Sequence, residues 1–395
     1  MRKTFEVHIE NAGTQKQTDL LLPATPYRLM DAVDKLCLRE EDKIRTEIRQ
    51  YHDYGFLESI QQKNPGLFEL NLLAQRLSEL NETERAAFCG LVQMDAGSQQ
   101  DNTLPTSRLI DLACSTDCCQ VAEGVLDDRQ LGEFCIKNGL VPEAGTVPDE
   151  IYHLLNFEQI GRNHRQAEGG VFTQGGYVER HSAVHEVFQM LDVIPKAPAY
   201  TIRLEVSKGF FNDPDYDSGK AVTLDLPAAE QEMEQALKEL DAVSWKEAGV
   251  RCTDCAVPVL MDMIHDADDL EAVFRIAGQL STMGPNERLK YKAMLGALDC
   301  QNIDTALTLI DTPERYTFSP LLSSPADLAM DNLRYVIDKT ELDLLLPHLN
   351  LDAYGQDLLA VQNAVLTDYG LIERTDGQPV QLPQEQSQEG GMTLE

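Results

Sequence analysis

Residues Val171-Phe-Thr-Gln-Gly-Gly-Tyr-Val-Glu-Arg180 return as Val365-Leu-Thr-Asp-Tyr-Gly-Leu-Ile-Glu-Arg374, and Asn156-Phe-Glu-Gln-Ile-Gly-Arg162 returns as Asn350-Leu-Asp-Ala-Tyr-Gly-Gln356. Further upstream, Leu72–Ser78 matches Arg275–Ser281, and Leu109-Ile-Asp111 matches Leu309-Ile-Asp311. Phe5–Ile9 resembles Ile202–Val206, and Leu22-Pro-Ala24 resembles Leu226-Pro-Ala228. The matches are collinear, so a chain written this way must build one kind of unit twice. The period is domain-sized and therefore predicts tandem domains, not a solenoid. The linker Pro195-Lys-Ala-Pro198 marks the boundary. The expected division is 1–196, 197–375 and a tail, 376–395, whose Gln, Pro and Gly content and lack of periodicity predict disorder.

Each unit reads as mixed α and β. Residues 4–10 alternate apolar and polar side chains, as a half-buried strand does. Thr25-Pro26 opens a helix whose face carries Leu29, Val33 and Leu36. Leu70, Leu73, Ala74, Leu77 and Leu80 form an apolar stripe. Asn81 and Glu84 have capping-box spacing ahead of Phe88, Leu91 and Val92. Pro148 opens a short helix toward Leu155. Gly170–Thr173 and Tyr177–Arg180 form a β-hairpin, with a counterpart at Ala364–Thr367 and Leu371–Arg374. The fold class is α+β: two tandem, diverged units of small mixed α/β subdomains, each ending in a hairpin, in an elongated molecule.

Charge narrows the partners. Of 395 residues 66 are acidic and 33 basic, a net charge of −33, yet 43 % are hydrophobic. Disorder needs high charge together with low hydrophobicity, and only the first holds. Duplex DNA carries one negative charge per ~1.7 Å of axis, so the surplus matches roughly 55 Å of duplex, on the order of 16 base pairs. Direct binding of nucleic acid needs Lys/Arg patches and is not expected. A basic groove, or a protein that itself binds nucleic acid, is. The charge is uneven: residues 1–200 hold 31 acidic and 19 basic groups, residues 201–395 hold 35 and 14. No apolar run spans a bilayer. Met1-Arg2-Lys3 leads straight into a strand pattern, so no signal peptide is expected. Nine cysteines, an odd number without regular spacing, predict a reducing, cytoplasmic setting with Cys mainly as core residues.

Few residues suggest chemistry. Cys252-Thr-Asp-Cys255 is the nearest metal or redox motif, but a structural zinc site needs a second pair. Adjacent Cys118 and Cys119 do not supply one. His181 and His185 have i, i+4 spacing without the glutamate of a zinc peptidase. Asp213-Pro-Asp-Tyr-Asp217 begins like a calcium loop, but Ser218 and Leu224 stand where Gly and Glu are required. Gly169–Gly176 lacks the Lys of a phosphate loop. His52-Asp53, read as part of a strand, would point its two side chains to opposite faces. The chain is expected to be no enzyme and to need no cofactor.

The residues quoted resemble the ArdA antirestriction family. The match runs through His52-Asp53-Tyr54, Glu69-Leu70-Asn71 and Thr116-Asp117-Cys118. It continues through Gly139, Pro142, Phe157, Gly161, Arg162, Val171-Phe172 and Gly176, in order over most of residues 1–180. The second unit keeps Tyr354-Gly355 and the hairpin, but has Gln356 for Arg162 and lacks His-Asp-Tyr. The resemblance implies a small acidic α+β protein of mobile elements. Such a protein mimics bent B-form DNA and occupies the DNA groove of a type I restriction–modification enzyme. Family members are usually single units that dimerise; here a homodimer or an intramolecular pseudo-dimer is expected. The carboxylates expected to carry the mimicry are Asp111, Asp117, Glu123, Asp127, Asp128, Glu133, Asp149 and Glu150, with Asp327, Asp331, Asp338, Glu341 and Asp343 in the second unit. The alternatives are an acidic inhibitor or adaptor of another DNA-binding defence system, such as a CRISPR effector, and a metal protein built on Cys252 and Cys255.

Overall fold

The structure, a computed structural model, describes residues 2–99, 101–141, 152–209, 221–265 and 267–381. It is mixed α/β with four antiparallel three-stranded sheets. Among the described residues no helix is long and apolar enough to cross a membrane. The chain divides into two compact units. The first holds residues 1–12, 17–24 and 44–196; the second holds 13–16, 25–43 and 197–395.

In the first unit, β1 (Phe5–Asn11) lies between β2 (Gln17–Leu22) and β3 (Ile44–Gln50). The alternation of β1 is realised: Phe5, Val7 and Ile9 are buried, whereas Glu6, His8 and Glu10 are half-buried on the other face. The intervening helix α1 (Pro26–Asp34) belongs to the second unit. Helices α2 (Leu67–Glu79), α3 (Glu82–Ala96) and α4 (Thr106–Ala113) follow β3. The expected stripe of α2 is wholly buried. The capping box of α3 is complete: Asn81 Oδ1 accepts the Glu84 N–H at 2.9 Å, and Glu84 accepts the Asn81 N–H at 2.9 Å. The strand β4 (Cys119–Glu123) leads to α5 (Asp128–Lys137), then α6 (Phe157–Glu168) and the hairpin β5 (Val171–Thr173) and β6 (Gly176–Arg180). β6 lies in the middle, between β4 and β5. Gly176 has φ +147°, a region that L side chains rarely adopt, and a Cβ there would meet the Ala122 carbonyl at 2.2 Å.

In the second unit, β7 (Ile202–Lys208) lies between β8 (Ala221–Leu226) and β9 (Ala248–Cys255). Helix α7 (Glu230–Glu239) joins β8 to β9. Then come α8 (Leu270–Thr282), α9 (Pro285–Ala297), α10 (Ile303–Ile310), β10 (Tyr316–Ser319), α11 (Pro325–Val336), α12 (Lys339–Leu345) and α13 (Leu351–Gln362). The hairpin β11 (Val365–Thr367) and β12 (Gly370–Arg374) closes the unit, with β12 between β10 and β11. One apolar core runs from Ile202 and Leu204 through Val273, Ile276 and Leu309 to Ile372. The sheet orders correspond, β2-β1-β3 with β8-β7-β9 and β4-β6-β5 with β10-β12-β11, whereas α7 and α12 have no counterpart among the described elements of the first unit.

Segments 13–16 and 25–43, which a cut at residue 196 gives to the first unit, pack with the second. The reason lies in polar contacts invisible to periodicity. Thr25 occupies the N-cap position of α1, but its hydroxyl donates to Asp254 at 2.6 Å and does not cap the helix. Tyr27 donates to the Tyr200 carbonyl at 2.5 Å. Asp31 accepts from Lys292 at 2.8 Å and from Tyr369 at 2.9 Å. Residues 376–381, expected to open a disordered tail, are held: Asp376 accepts from Arg374, Asn363 donates to the Gly377 carbonyl, and Val380 packs on the core. Residues 382–395, the Pro148 helix start and the Asp213–Asp217 loop lie outside the described residues.

Candidate functional site

The carboxylates singled out from sequence fall into three groups. Four are engaged within their own unit. Asp111 Oδ1 accepts the N–H groups of Val187 and Phe188, each at 2.8 Å, and so anchors the strap after β6. Asp128 accepts from Arg165 at 2.8 and 3.1 Å and lies 3.7 Å from Arg162. The Arg165 guanidinium holds its carboxyl below the usual range. Glu133 pairs with Arg129 at 3.5 Å along one helix face. Asp327 accepts from Ser324 and from Arg39. Burial alone would raise its pKa, and these hydrogen bonds carry it below the ordinary value instead.

A second group faces water. Glu123 is exposed and accepts only from Thr83 among the described residues. Asp127 is exposed and caps α5, accepting from Gln130 at 2.8 Å. Asp331 is half-buried, and Asp338, Glu341 and Asp343 are exposed, with no cation beside any of them among the described residues. Asp331 lies on α11, Asp338 at the start of α12, and Glu341 and Asp343 on α12, alongside the exposed apolar side chains Tyr335, Val336 and Leu344. Asp117 also faces water, but it has neighbours of another kind, described below. Asp149 and Glu150 form the third group and lie outside the described residues.

The basic side chains explain why exposed carboxylates dominate. Many are tied down inside their own unit: Arg2 to Asp53, Arg108 to Asp95, Arg203 to Asp225, Arg251 to Glu205, Arg275 to Asp311 and Arg374 to Asp376. Lys292 is buried between Asp31 and Asp34, 2.8 Å from each. Such pairing spends cations together with carboxylates, so the surplus of 66 acids over 33 bases stays uncompensated.

The chemical motifs resolve differently. Cys252 and Cys255 are buried on β9 within the apolar core. Burial, with Cys252 alongside, pushes the Cys255 thiol well up, so Cys255 stays protonated and packs as an apolar group. All nine cysteines are free. His52-Asp53 does not lie on a strand: residues 52–59 form a 3-10 helix, His52 has φ +43°, and Asp53 turns to Arg2. Residues 181–187 are not helical, so His181 and His185 share no helix face. The β4–β6 pairing, with Cys119 opposite Arg180, returns the strap to the start of β4 instead. There His185 Nε2 lies 3.5 Å from Cys118 Sγ and 3.3 Å from Asp117 Oδ2. Sequence reading missed this trio because its members are 67 residues apart and meet only through a strand pair. The neighbouring Cys119 thiol is pushed up to about 12 by burial and stays out of the group.

The helix pairs carry the motifs quoted for both units. Asn156 caps α6, accepting from Gln159 at 3.0 Å, and Asn350 caps α13, accepting from Ala353 at 3.1 Å. A Cβ on Gly161 would lie 1.8 Å from the Asp128 carbonyl oxygen; one on Gly355 would lie 1.9 Å from that of Pro325. The glycines are therefore required by backbone-to-backbone approach. No protein-family model matches this chain, and no curated protein matches it either.

Proposed function

We propose that this chain is a non-enzymatic antirestriction protein, an acidic DNA mimic that occupies the DNA-binding groove of a type I restriction–modification enzyme. The observation that supports this reading best is the combination of well-packed cores with a net charge of −33, many of the cations being held in internal pairs. A folded domain that keeps so much self-repulsion gives up stability for it, and a partner's cationic groove returns that cost on binding. Carboxylates take the place of phosphates, and counterions released from both surfaces favour association.

The same reading takes the two units as diverged copies of one ArdA-like ancestor. In its favour are the matching sheet orders, the asparagine caps at 156 and 350, and the close-packed glycines at 161 and 355. The mimic surface is then carried by Glu123 and Asp127 in the first unit, and by Asp331, Asp338, Glu341 and Asp343 in the second. The engaged residues Asp111, Asp128 and Asp327 serve the fold.

The test is restriction of incoming DNA in cells carrying one defined type I system. The wild-type chain should protect foreign DNA. The sixfold variant Glu123→Gln, Asp127→Asn, Asp331→Asn, Asp338→Asn, Glu341→Gln and Asp343→Asn should fold, because Asn still caps a helix at 127. It should protect poorly and bind the enzyme with a flatter salt dependence. Full protection by the folded sixfold variant would sink the mimic reading.

A further inference from the structure

We infer that Asp117, Cys118 and His185 form a zinc site in the first unit. Their ligand atoms all lie within 4.8 Å of one another. The separations are 3.5 Å from Cys118 Sγ to His185 Nε2, 3.3 Å from His185 Nε2 to Asp117 Oδ2 and 3.9 Å from Cys118 Sγ to Asp117 Oδ1. Zinc–sulfur bonds of about 2.3 Å and zinc–nitrogen or zinc–oxygen bonds of about 2.0 Å, at tetrahedral angles, set ligand atoms roughly 3.3–3.6 Å apart. The two contacts to His185 have these lengths; the exposed Asp117 carboxylate, which meets His185 through Oδ2 and Cys118 through Oδ1, turns to present one oxygen to the ion.

The donor set chooses the ion. Calcium and magnesium take oxygen ligands, whereas a thiolate with an imidazole and a carboxylate suits zinc. The frame is held without the ion. The His185 N–H donates to Ser115 Oγ at 2.9 Å, Ser115 Oγ donates to the Asp111 carbonyl, and the His181 N–H donates to the Cys118 carbonyl at 3.0 Å. Cys118 is buried, whereas the Asp117 and His185 side chains are 73 % and 48 % exposed, so the ion enters from solvent and keeps a fourth position for water. On binding, the Cys118 S–H bond, which points at the Ala183 carbonyl 3.1 Å away, gives up its proton to solvent and the sulfur lone pair bonds to zinc. The ion then clips the strap of residues 181–188 to the start of β4, and Asp117 becomes a ligand and leaves the mimic surface.

Cobalt(II) tests this on the full-length, reduced, chelator-stripped protein. One equivalent should produce the thiolate-to-cobalt charge-transfer band and the intense visible bands of a four-coordinate ion, and zinc should bleach them. Cys118→Ser should remove the charge-transfer band, and His185→Gln should weaken binding by roughly 10-fold or more. The double variant Cys252→Ser, Cys255→Ser should leave both unchanged. His185→Gln changes a half-exposed side chain and decides the matter if Cys118→Ser fails to fold. No thiolate band in the wild type, or a band that survives both Cys118→Ser and His185→Gln, overturns the inference.

Discussion

Helices α5 and α6 in the first unit and α11 and α13 in the second meet through the same kind of backbone contact but are surrounded by different chemistry. In the first, Asp128 supplies both the carbonyl that Gly161 approaches and the carboxylate that Arg162 and Arg165 embrace. In the second, Pro325 supplies only the carbonyl, and the positions one and four residues after Gly355 are Gln356 and Leu359. Acid and both cations are absent together, while the glycine remains. Four residues after Asp128 comes Gly132, itself pressed on the Phe157 carbonyl; four residues after Pro325 comes the buried Ala329. The difference teaches that steric approach is the fixed requirement of this helix pair and the ion pair is an optional addition, as expected when a partly exposed ion pair contributes little.

The largest expected effect separates the units outright. Lys292→Met takes the buried cation from Asp31 and leaves it only the half-buried Lys35, 3.2 Å away; removing one partner of a buried pair costs up to about 3–5 kcal/mol. Hydrogen exchange should show lost protection in β7–β9 and unchanged protection in β1–β3. Burial alone would raise Asp31, yet Lys292 and Lys35 hold it below its ordinary value. A depressed carboxylate contributes stability that is present above its unfolded pKa, about 3.9, and lost as pH falls through the folded value. The defect of Lys292→Met should therefore be large at neutral pH and shrink in acid; a pH-independent defect would refute the ion-pair explanation.

Gly161→Ala and Gly355→Ala come next. Each places a methyl group on a backbone carbonyl, and overpacking of this kind costs about 1–3 kcal/mol, occasionally more. Similar losses in urea unfolding would sharpen the comparison, and a tolerated Gly355→Ala would break it. The asparagine caps should be matched as well: Asn156→Ala and Asn350→Ala should each cost about 1 kcal/mol. The smallest effect is the paired change Arg162→Gln, Arg165→Gln. With Arg165 35 % and Arg162 43 % exposed, solvent screening limits the loss to about 1 kcal/mol or less. A loss exceeding that of Gly161→Ala would reverse the ranking of sterics over charge.

Much of the fold was legible because it rests on local rules. The alternation of β1, the stripe of α2, the box at Asn81 and Glu84, and the two terminal hairpins follow from periodicity, capping and turn chemistry. What misled was context. His52-Asp53 looked like part of a strand because nothing local signals a 3-10 helix entered at positive φ. The carboxylates around α5 looked equivalent, yet Asp127 caps a helix in water while its neighbour Asp128 is locked by arginines more than thirty residues away.

By itself the sequence determined a mixed α/β fold, cores deep enough to fold, and twice as many acids as bases. Those properties are sums and periods along a chain. Tertiary structure alone decided that α1 packs with the second unit, that Lys292 is buried between Asp31 and Asp34, which charges are spent on the fold, and that His185 reaches Cys118 and Asp117. Such contacts depend on which distant segments a sheet brings side by side. Coulombic and ligand interactions act over a few ångströms in space, whatever the separation in sequence.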